Sequence, residues 1–494
     1  MIKYLKQNKI LFLILILGLF LRVYKPLTFF YFDHDSDLAG WIMRDILFNH
    51  HLRLIGQETS SHGIFIGPYF YYLQIPFFLL TKMDPAGTLL LSIILGIFSV
   101  WSVYFVFTKM FSKNVGLIGS LIYATSSLVV FTDREVVPTM PVMLWTIWFL
   151  FSLNQILKGK KYGYIILGIL IGLVWSLNLQ LIILMPLVIL AQIFSKKQIN
   201  FKELIVGSII AFLMNIPFIA FELRHGFQQT KALFASLTTS KDYISGTSMG
   251  FFAKLDRTMQ LVYKNSTNIF ALNTINLDTR IMFWFFVVLI LCFVYKKIIS
   301  KNLGVIFLIW LSIYILFFSK ISLNVSEYYL NGMNIVYIIL AAIGINELIK
   351  NKKRKHFGFL LIGIFLILNL YQFFTRPVNA DGYIERKAII SAIKEDADLH
   401  NYPCVSLSFI TTPGNDLGYR YFTWEENLKT KPVSNNIPVY SIVFPLSLVD
   451  GFDKSYGALG LIKPDYKKYN LKTIDTSCEG KDYNLTYPMF GFTN

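Results

Sequence analysis

Carboxylates crowd one short run of the sequence, Phe32-Asp33-His34-Asp35-Ser36-Asp37. An ionised carboxylate can take a proton from a hydroxyl or attack an electrophilic carbon, so Asp33, Asp35 and Asp37 are candidates for general-base or nucleophilic work. The plainer reading makes Asp35 or Asp37 the N-cap of the helix that follows, with the others as solvated loop charges. A second run, Thr132-Asp133-Arg134-Glu135-Val136-Val137-Pro138, sets two acids and a base between apolar segments with almost no linker. Asp133 and Glu135 would orient a substrate and Arg134 would bind an anion, unless Asp133 and Arg134 simply pair, which is worth little at a surface. A third run, Phe221-Glu222-Leu223-Arg224-His225-Gly226-Phe227, offers Arg224 and His225 as charge-assisted donors to a phosphate diester. Its plainer reading is a cation snorkelling to headgroups at the end of an apolar segment. Ser326-Glu327-Tyr328-Tyr329 adds an acid and an aromatic pair. His50, His51 and His62 have no ligand spacing, so a divalent metal finds no support, and nothing in the sequence requires a cofactor.

The elements that must position these runs are apolar. Of 494 residues 55% are hydrophobic and 15% charged, a balance that fits a membrane protein better than a soluble one. The formal charge of +17 would argue for nucleic acid if the bases lined one face, but they fall in short clusters between apolar runs and read as topology signals. No nucleic-acid partner is expected. Runs near the ~20 residues needed to span a bilayer lie at 9–24, 88–108, 115–131, 138–157, 162–178, 180–195, 204–221, 281–296, 303–319, 331–349 and 357–375. That predicts eleven spans. Lys3, Lys6 and Lys9 precede the first of them without a small-residue cleavage site, so it reads as a retained anchor.

One further apolar stretch, 64–81, carries Gly67, Pro68, Pro76 and three tyrosines, and its course sets the sidedness of everything after it. If it does not cross, Lys109 and Lys113, Lys158 to Lys161, Lys196, Lys197 and Lys202, Lys296 to Lys301 and Lys350 to Lys355 all share the amino-terminal side. The positive-inside rule therefore makes it an interfacial or re-entrant helix. The outer face then collects the loops 25–87, around Asp133, 222–280 and around Glu327. Leu38, Trp41, Ile42 and Ile46, and later Phe251, Phe252, Leu255, Met259 and Val262, recur at helical spacing and predict two helices lying on the membrane surface. From 376 the composition turns mixed polar, with a helical stretch at 384–399 and β-rich runs at Cys404 to Thr411 and Val439 to Phe444. The expected organisation is an all-α polytopic membrane domain, 1–375, followed by a small exoplasmic α/β domain, 376–494. Cys292 reads as inert packing, while Cys404 and Cys478 would form one bridge or stay as two thiols.

The first-loop strings, Phe32-Asp33-His34-Asp35-Ser36-Asp37-Leu38-Ala39, Leu54-Ile55-Gly56-Gln57-Glu58-Thr59-Ser60 and Ile66-Gly67-Pro68-Tyr69-Phe70-Tyr71-Tyr72, resemble the first loop of bacterial family 39-like glycosyltransferases. These belong to the GT-C group with protein O-mannosyltransferases and lipid A aminoarabinose transferases. Phe221 to Phe227 and Glu327-Tyr328-Tyr329-Leu330 look like the same subgroup, so the resemblance covers roughly the first 350 residues. It implies a bacterial cytoplasmic-membrane enzyme moving a sugar from a polyprenyl-phosphate donor to an envelope acceptor on the outer face, by direct displacement with inversion. By position Asp35 matches the family's base, with Asp33 and Asp37 as alternatives because the usual Asp-Glu pair is not spelled out. Arg224, Arg134 and His225 would then bind the donor phosphate, and Asp133, Glu135, Glu58, Glu327, Tyr328 and Tyr329 would orient sugar or acceptor. The second run departs from the family's Ser or Arg followed by Asn-Pro. The rival reading is a transporter or flippase of lipid-linked sugars, which would place ionisable groups at mid-membrane and show repeated halves.

Overall fold

The computed structural model describes residues 9–482 apart from 60–62, 196, 239–249, 276, 322–324, 379 and 413. Lys3, Lys6, His62 and Lys196, named above, lie outside the described residues.

A helix forms at every expected span, because each is an apolar run bounded by polar or glycine-rich turns. Among the described residues, four helices qualify by length and composition to cross a membrane, at Pro85–Met110, Lys301–Lys320, Glu327–Lys350 and Lys355–Phe374, or five if the bent pair Phe201–Met214 and Ile216–Arg224 counts as one. The other expected spans are shorter or broken. The first helix is Lys9–Val23; the expected span 115–131 divides at Ser126 into Lys113–Thr125 and Ser127–Thr132; and the span 180–195 opens with a 3-10 turn, Leu179–Leu184, before Pro186–Ser195. Asn178 makes that last break, with extended backbone and a side-chain oxygen accepting the Gln180 N–H at 3.0 Å. The 53° bend between Phe201–Met214 and Ile216–Arg224 falls at Asn215, just ahead of Pro217. The 64–81 stretch yields one short helix, Tyr69–Leu80, with Pro76 inside it.

The bundle is dry at its centre and greasy outside. Val103, Tyr123, Phe149, Trp310 and Tyr337 are fully buried, whereas Phe359, Leu360, Ile367 and Trp284 are exposed. A soluble domain would hide such side chains; in a bilayer they face the acyl chains. Helices cross closely where glycines meet: a Cβ on Gly168 would lie 2.1 Å from the Gly207 carbonyl oxygen, so Tyr162–Leu177 and Phe201–Met214 touch backbone to backbone.

The carboxy-terminal region forms a five-stranded sheet of order β2-β1-β3-β5-β4, from β1 (Val405–Thr411), β2 (Thr430–Lys431), β3 (Val439–Phe444), β4 (Lys454–Tyr456) and β5 (Leu459–Ile462). β1 pairs in parallel with β2 and β3, and β5 joins β3 and β4 antiparallel. Cys404 and Cys478 are bridged, tying the start of β1 to the Leu471–Ser477 helix. Cys292 is free and exposed on the Thr279–Tyr295 helix, so it does not pack in the core as expected.

The two expected surface helices fare differently. The His34–Phe48 helix buries Leu38, Trp41 and Ile42 against protein, not lipid: Leu38 and Trp41 meet Trp424, and Ala39, Ile42 and Met43 share a core with Phe422 and Tyr421. The sheet domain thus covers the stripe that sequence periodicity assigned to the membrane. The Phe251–Asn268 helix splits its apolar stripe: Val262 is buried with Lys254, Thr258 and Asn265 and Met259 packs against the core, while Phe251 and Phe252 stay exposed. Arg257 explains part of this, donating to the carbonyls of Phe318 and Ile321 at 3.1 and 3.2 Å and so capping the end of Lys301–Lys320.

Candidate active site

A cavity of about 890 Å³ lies where the first loop, the turn at Arg134 and the segments around Leu179 and Tyr328 converge. Its polar wall carries Asp33, Asp35, Glu58, Arg134, Glu135 and Arg376, and its apolar wall includes Leu179, Ile182, Phe317, Phe318 and Ile321. Tyr328 and Tyr329 complete one side.

The first carboxylate run is a helix start. Asp33 is the cap, its Oδ1 accepting the backbone N–H groups of Asp35 and Ser36 at 3.1 and 3.2 Å; neither Asp35 nor Asp37 takes that part. The turn frees the Asp35 side chain for the cavity. Burial pushes the Asp35 carboxyl up to about 6, the Asp33 carboxylate adds to the rise, and a hydrogen bond from the Gln57 side chain opposes it. Asp37, one turn on, points away. It is 1% exposed and accepts the Tyr421 N–H at 2.7 Å, so it joins the helix to the sheet domain instead of facing a substrate.

The second run divides in the same way. Asp133 is buried in an ion pair with Arg22 of the first helix, whose Nε lies 3.1 Å from Oδ2, and accepts from the Tyr123 hydroxyl at 3.2 Å. It is absent from the cavity wall, because a partner 111 residues earlier claims it. Arg134 reaches the cavity but donates to the carbonyls of Tyr24 and Lys25 at 2.7 and 3.2 Å and lies over Phe29. Burial, with the Arg22 and Arg376 charges, pushes it down to about 10. Glu135 faces the cavity and burial lifts it to about 7, against the pull of Arg376 and with a push from Asp33 and Asp133.

The third run builds support. Arg224 and His225 are exposed and outside the cavity wall; the His225 ring stacks on Phe221 at 4.1 Å and its Nδ1 donates to the Phe221 carbonyl at 2.8 Å. The acid of that run, Glu222, is 2% exposed and caps the Gln228–Thr238 helix by accepting the N–H groups of Gln229 and Thr230 at 3.0 and 2.9 Å. Gln229 Oε1 in turn accepts the Phe65 N–H at 2.8 Å. Phe65 belongs to a hairpin paired through Glu58 and Phe65, which docks by the Gly67 N–H on the Trp175 carbonyl at 2.9 Å and puts Gln57 and Glu58 on the cavity wall. Glu327 pairs with Lys264 at the surface and is not on the wall, while its neighbours Tyr328 and Tyr329 are.

Sequence reasoning missed two wall residues. Arg376 lies over the Phe131 ring at 3.9 Å and, like Glu135, lines the cavity. Its one signal is position, two residues past the last apolar helix. Gln57 gives no signal of its own beyond the string that contains it. Among the described residues no group of three or more His, Cys, Asp or Glu side chains is placed to hold a metal ion.

Residues 66–221 match the family model for dolichyl-phosphate-mannose-protein mannosyltransferase. The chain superposes on ArnT from Cupriavidus metallidurans, solved bound to undecaprenyl phosphate, with a TM-score of 0.61 over 94% of this chain and 99% of that one at 8% identity. The chain has the ArnT fold. The apo form of the same ArnT gives the same TM-score at 10% identity. The Archaeoglobus fulgidus oligosaccharyltransferase, solved with zinc and sulfate, gives 0.49 at 12% identity over 88% of this chain and 67% of that one. No curated protein matches the chain by sequence. That shared fold matches the plan observed here: an apolar helical part, irregular segments around a cavity, and a small sheet region packed against them.

Proposed function

We propose that this chain moves a sugar from a polyprenyl-phosphate donor to an envelope acceptor at the outer face of a bacterial cytoplasmic membrane, with eleven spans holding residues 1–375 and the domain 376–494 outside. The observation that carries this reading is the cavity itself, which joins a carboxylate of near-neutral pKa and two guanidinium groups to an apolar wall. A lipid-linked phosphosugar complements them, with its phosphate toward the guanidinium groups and its polyprenyl chain along the apolar wall, which leaves the carboxylate to the acceptor hydroxyl. ArnT, whose fold the chain shares, was solved with such a lipid phosphate.

Asp35 is the base. As the acceptor oxygen attacks the anomeric carbon, its proton passes to Asp35, a bond forms from oxygen to that carbon, and the carbon–oxygen bond to phosphate breaks with its electron pair leaving on the polyprenyl phosphate. Inversion follows from a single displacement. The leaving group is already a stabilised anion and needs no strong acid. Arg376, with Arg134 behind the same Phe131 ring at 5.6 Å, offsets the charge that develops on it. Arg376 takes the role that Arg224 and His225 held in the sequence reading, since those two lie away from the wall. Glu58, Glu135, Tyr328 and Tyr329 orient sugar and acceptor, while Asp33 shapes the turn.

The test is incubation of the purified protein in lipid nanodiscs, and separately in sealed vesicles, with a panel of labelled polyprenyl-phosphate hexoses and pentoses and an envelope extract. Release of polyprenyl phosphate with label in an acceptor supports transfer. Movement of intact donor across the vesicle without release would establish the flippase reading instead.

A further inference from the structure

The hairpin on the cavity wall holds one amide in a fixed orientation beside Asp35. Gln57 is 6% exposed, and its backbone carbonyl accepts the Ile66 N–H at 2.9 Å. Its own N–H donates to the Tyr71 hydroxyl at 3.3 Å. Having accepted there, that hydroxyl donates its proton to Gln57 Oε1 at 3.0 Å. With the oxygen end of the amide occupied, the nitrogen end is left for Asp35, which shares the cavity wall with Gln57 and whose carboxyl the Gln57 side chain draws downward. Tyr71 cannot drift. It is fully buried, and its ring lies so close over Gly56 that a Cβ there would come within 2.1 Å.

We infer that Tyr71 and Gln57 form a relay of positioning residues that aims the Asp35 carboxylate at the acceptor and sets the pH at which it works. The inference rests on Asp35 being the base. A donor on one carboxylate oxygen fixes the group's rotation and leaves the other oxygen to the incoming hydroxyl. A neutral amide does this without extinguishing basicity; a Lys or Arg at the same place would hold the carboxylate ionised and make it a poor proton acceptor. Tyr71 matters because it decides which end of the amide faces Asp35. Without it, either the oxygen or the nitrogen could turn toward the carboxylate.

The test uses full-length protein in nanodiscs and whichever labelled polyprenyl-phosphate sugar of the panel above the unaltered protein turns over, with single-turnover rates measured across pH. Removing a donor to the ionised form raises the pKa of Asp35, so in Gln57→Leu the acidic limb is expected to move to higher pH by on the order of one unit. Loss of orientation is expected to lower the plateau rate about tenfold with donor KM unchanged. Tyr71→Phe keeps the ring against Gly56 and is expected to shift the limb in the same direction by less. If Gln57→Leu does not insert, Tyr71→Phe decides the matter alone. Acidic limbs that coincide with that of the unaltered protein in the variants that insert, or a raised KM with an unchanged plateau, would overturn the relay. An active Asp35→Asn would show instead that the base assignment fails; an inactive Asp35→Asn beside unmoved limbs would sink the relay alone.

Discussion

At the residue scale, environment separates side chains that look alike in the sequence. Asp33, Asp35 and Asp37 are equivalent as letters, yet the first caps a helix, the second faces a cavity and the third joins two parts of the fold. A base must be ionised to act, and burial lifts Asp35 to about 6, so the transfer rate is expected to rise with pH through about 6 and level off above it. A rate–pH profile checks this. Arg376→Ala is expected to lower turnover by roughly a hundredfold, in line with loss of a charge-stabilising donor, whereas Arg224→Ala, outside the wall, is expected to stay within about twofold of the unaltered protein. Steady-state kinetics on both variants separate the two phosphate assignments. The run that holds Asp35 could be read from the sequence as a helix start after an apolar stretch, but which of its three carboxylates faces the cavity could not, since Asp33, Asp35 and Asp37 differ only in the partners the fold gives them. The burial of Asp133 could not, since Arg22 lies far away along the chain and no local pattern announces the pair.

At the element scale, the helices follow from apolar run length, while their breaks follow from single polar residues. Ser126 and Asn215 interrupt runs that read as continuous, and the break at Asn178, where two expected spans meet, is what presents Leu179 and Gln180 to the cavity. Irregular backbone at such depth is tolerated where it lines a cavity, because its polar groups then find partners there. The hairpin from Gln57 to Phe65 is the element least visible in sequence: its anchors are Gln229, held by Glu222, and the Trp175 carbonyl. Gly67 makes the second anchor possible. A Cβ there would lie 2.4 Å from Ser176 Oγ and 3.1 Å from its Cα, so Gly67→Ala is expected to lift the hairpin and reduce transfer at least tenfold while the protein still inserts. Gel filtration in detergent, read beside activity, checks both halves of that expectation.

At the scale of the whole molecule, the carboxy-terminal sheet is part of the first loop's support. Tyr383 donates its N–H to the Phe30 carbonyl at 3.1 Å, its hydroxyl and Lys387 reach Asp84 at 2.8 and 2.7 Å, and Tyr421 meets Asp37. The composition shift at 376 located this region, and its helix and two main strands, Tyr383–Leu399, β1 and β3, fall where the sequence put them. Its docking surface went unseen, because an apolar stripe looks the same whether lipid or protein covers it. Asp37→Ala leaves the Tyr421 N–H without its acceptor and is expected to cost about 1–3 kcal/mol, seen as a lower thermal midpoint in detergent. Cys478→Ser opens a link spanning 74 residues and is expected to cost about 2–4 kcal/mol in the same assay. The most direct trial of the whole reading is the rate of polyprenyl phosphate release by Asp35→Asn protein, inserted and donor-bound as the unaltered chain is. A loss of about a thousandfold is expected; transfer at the unaltered rate would contradict the assignment of this cavity as the place of reaction.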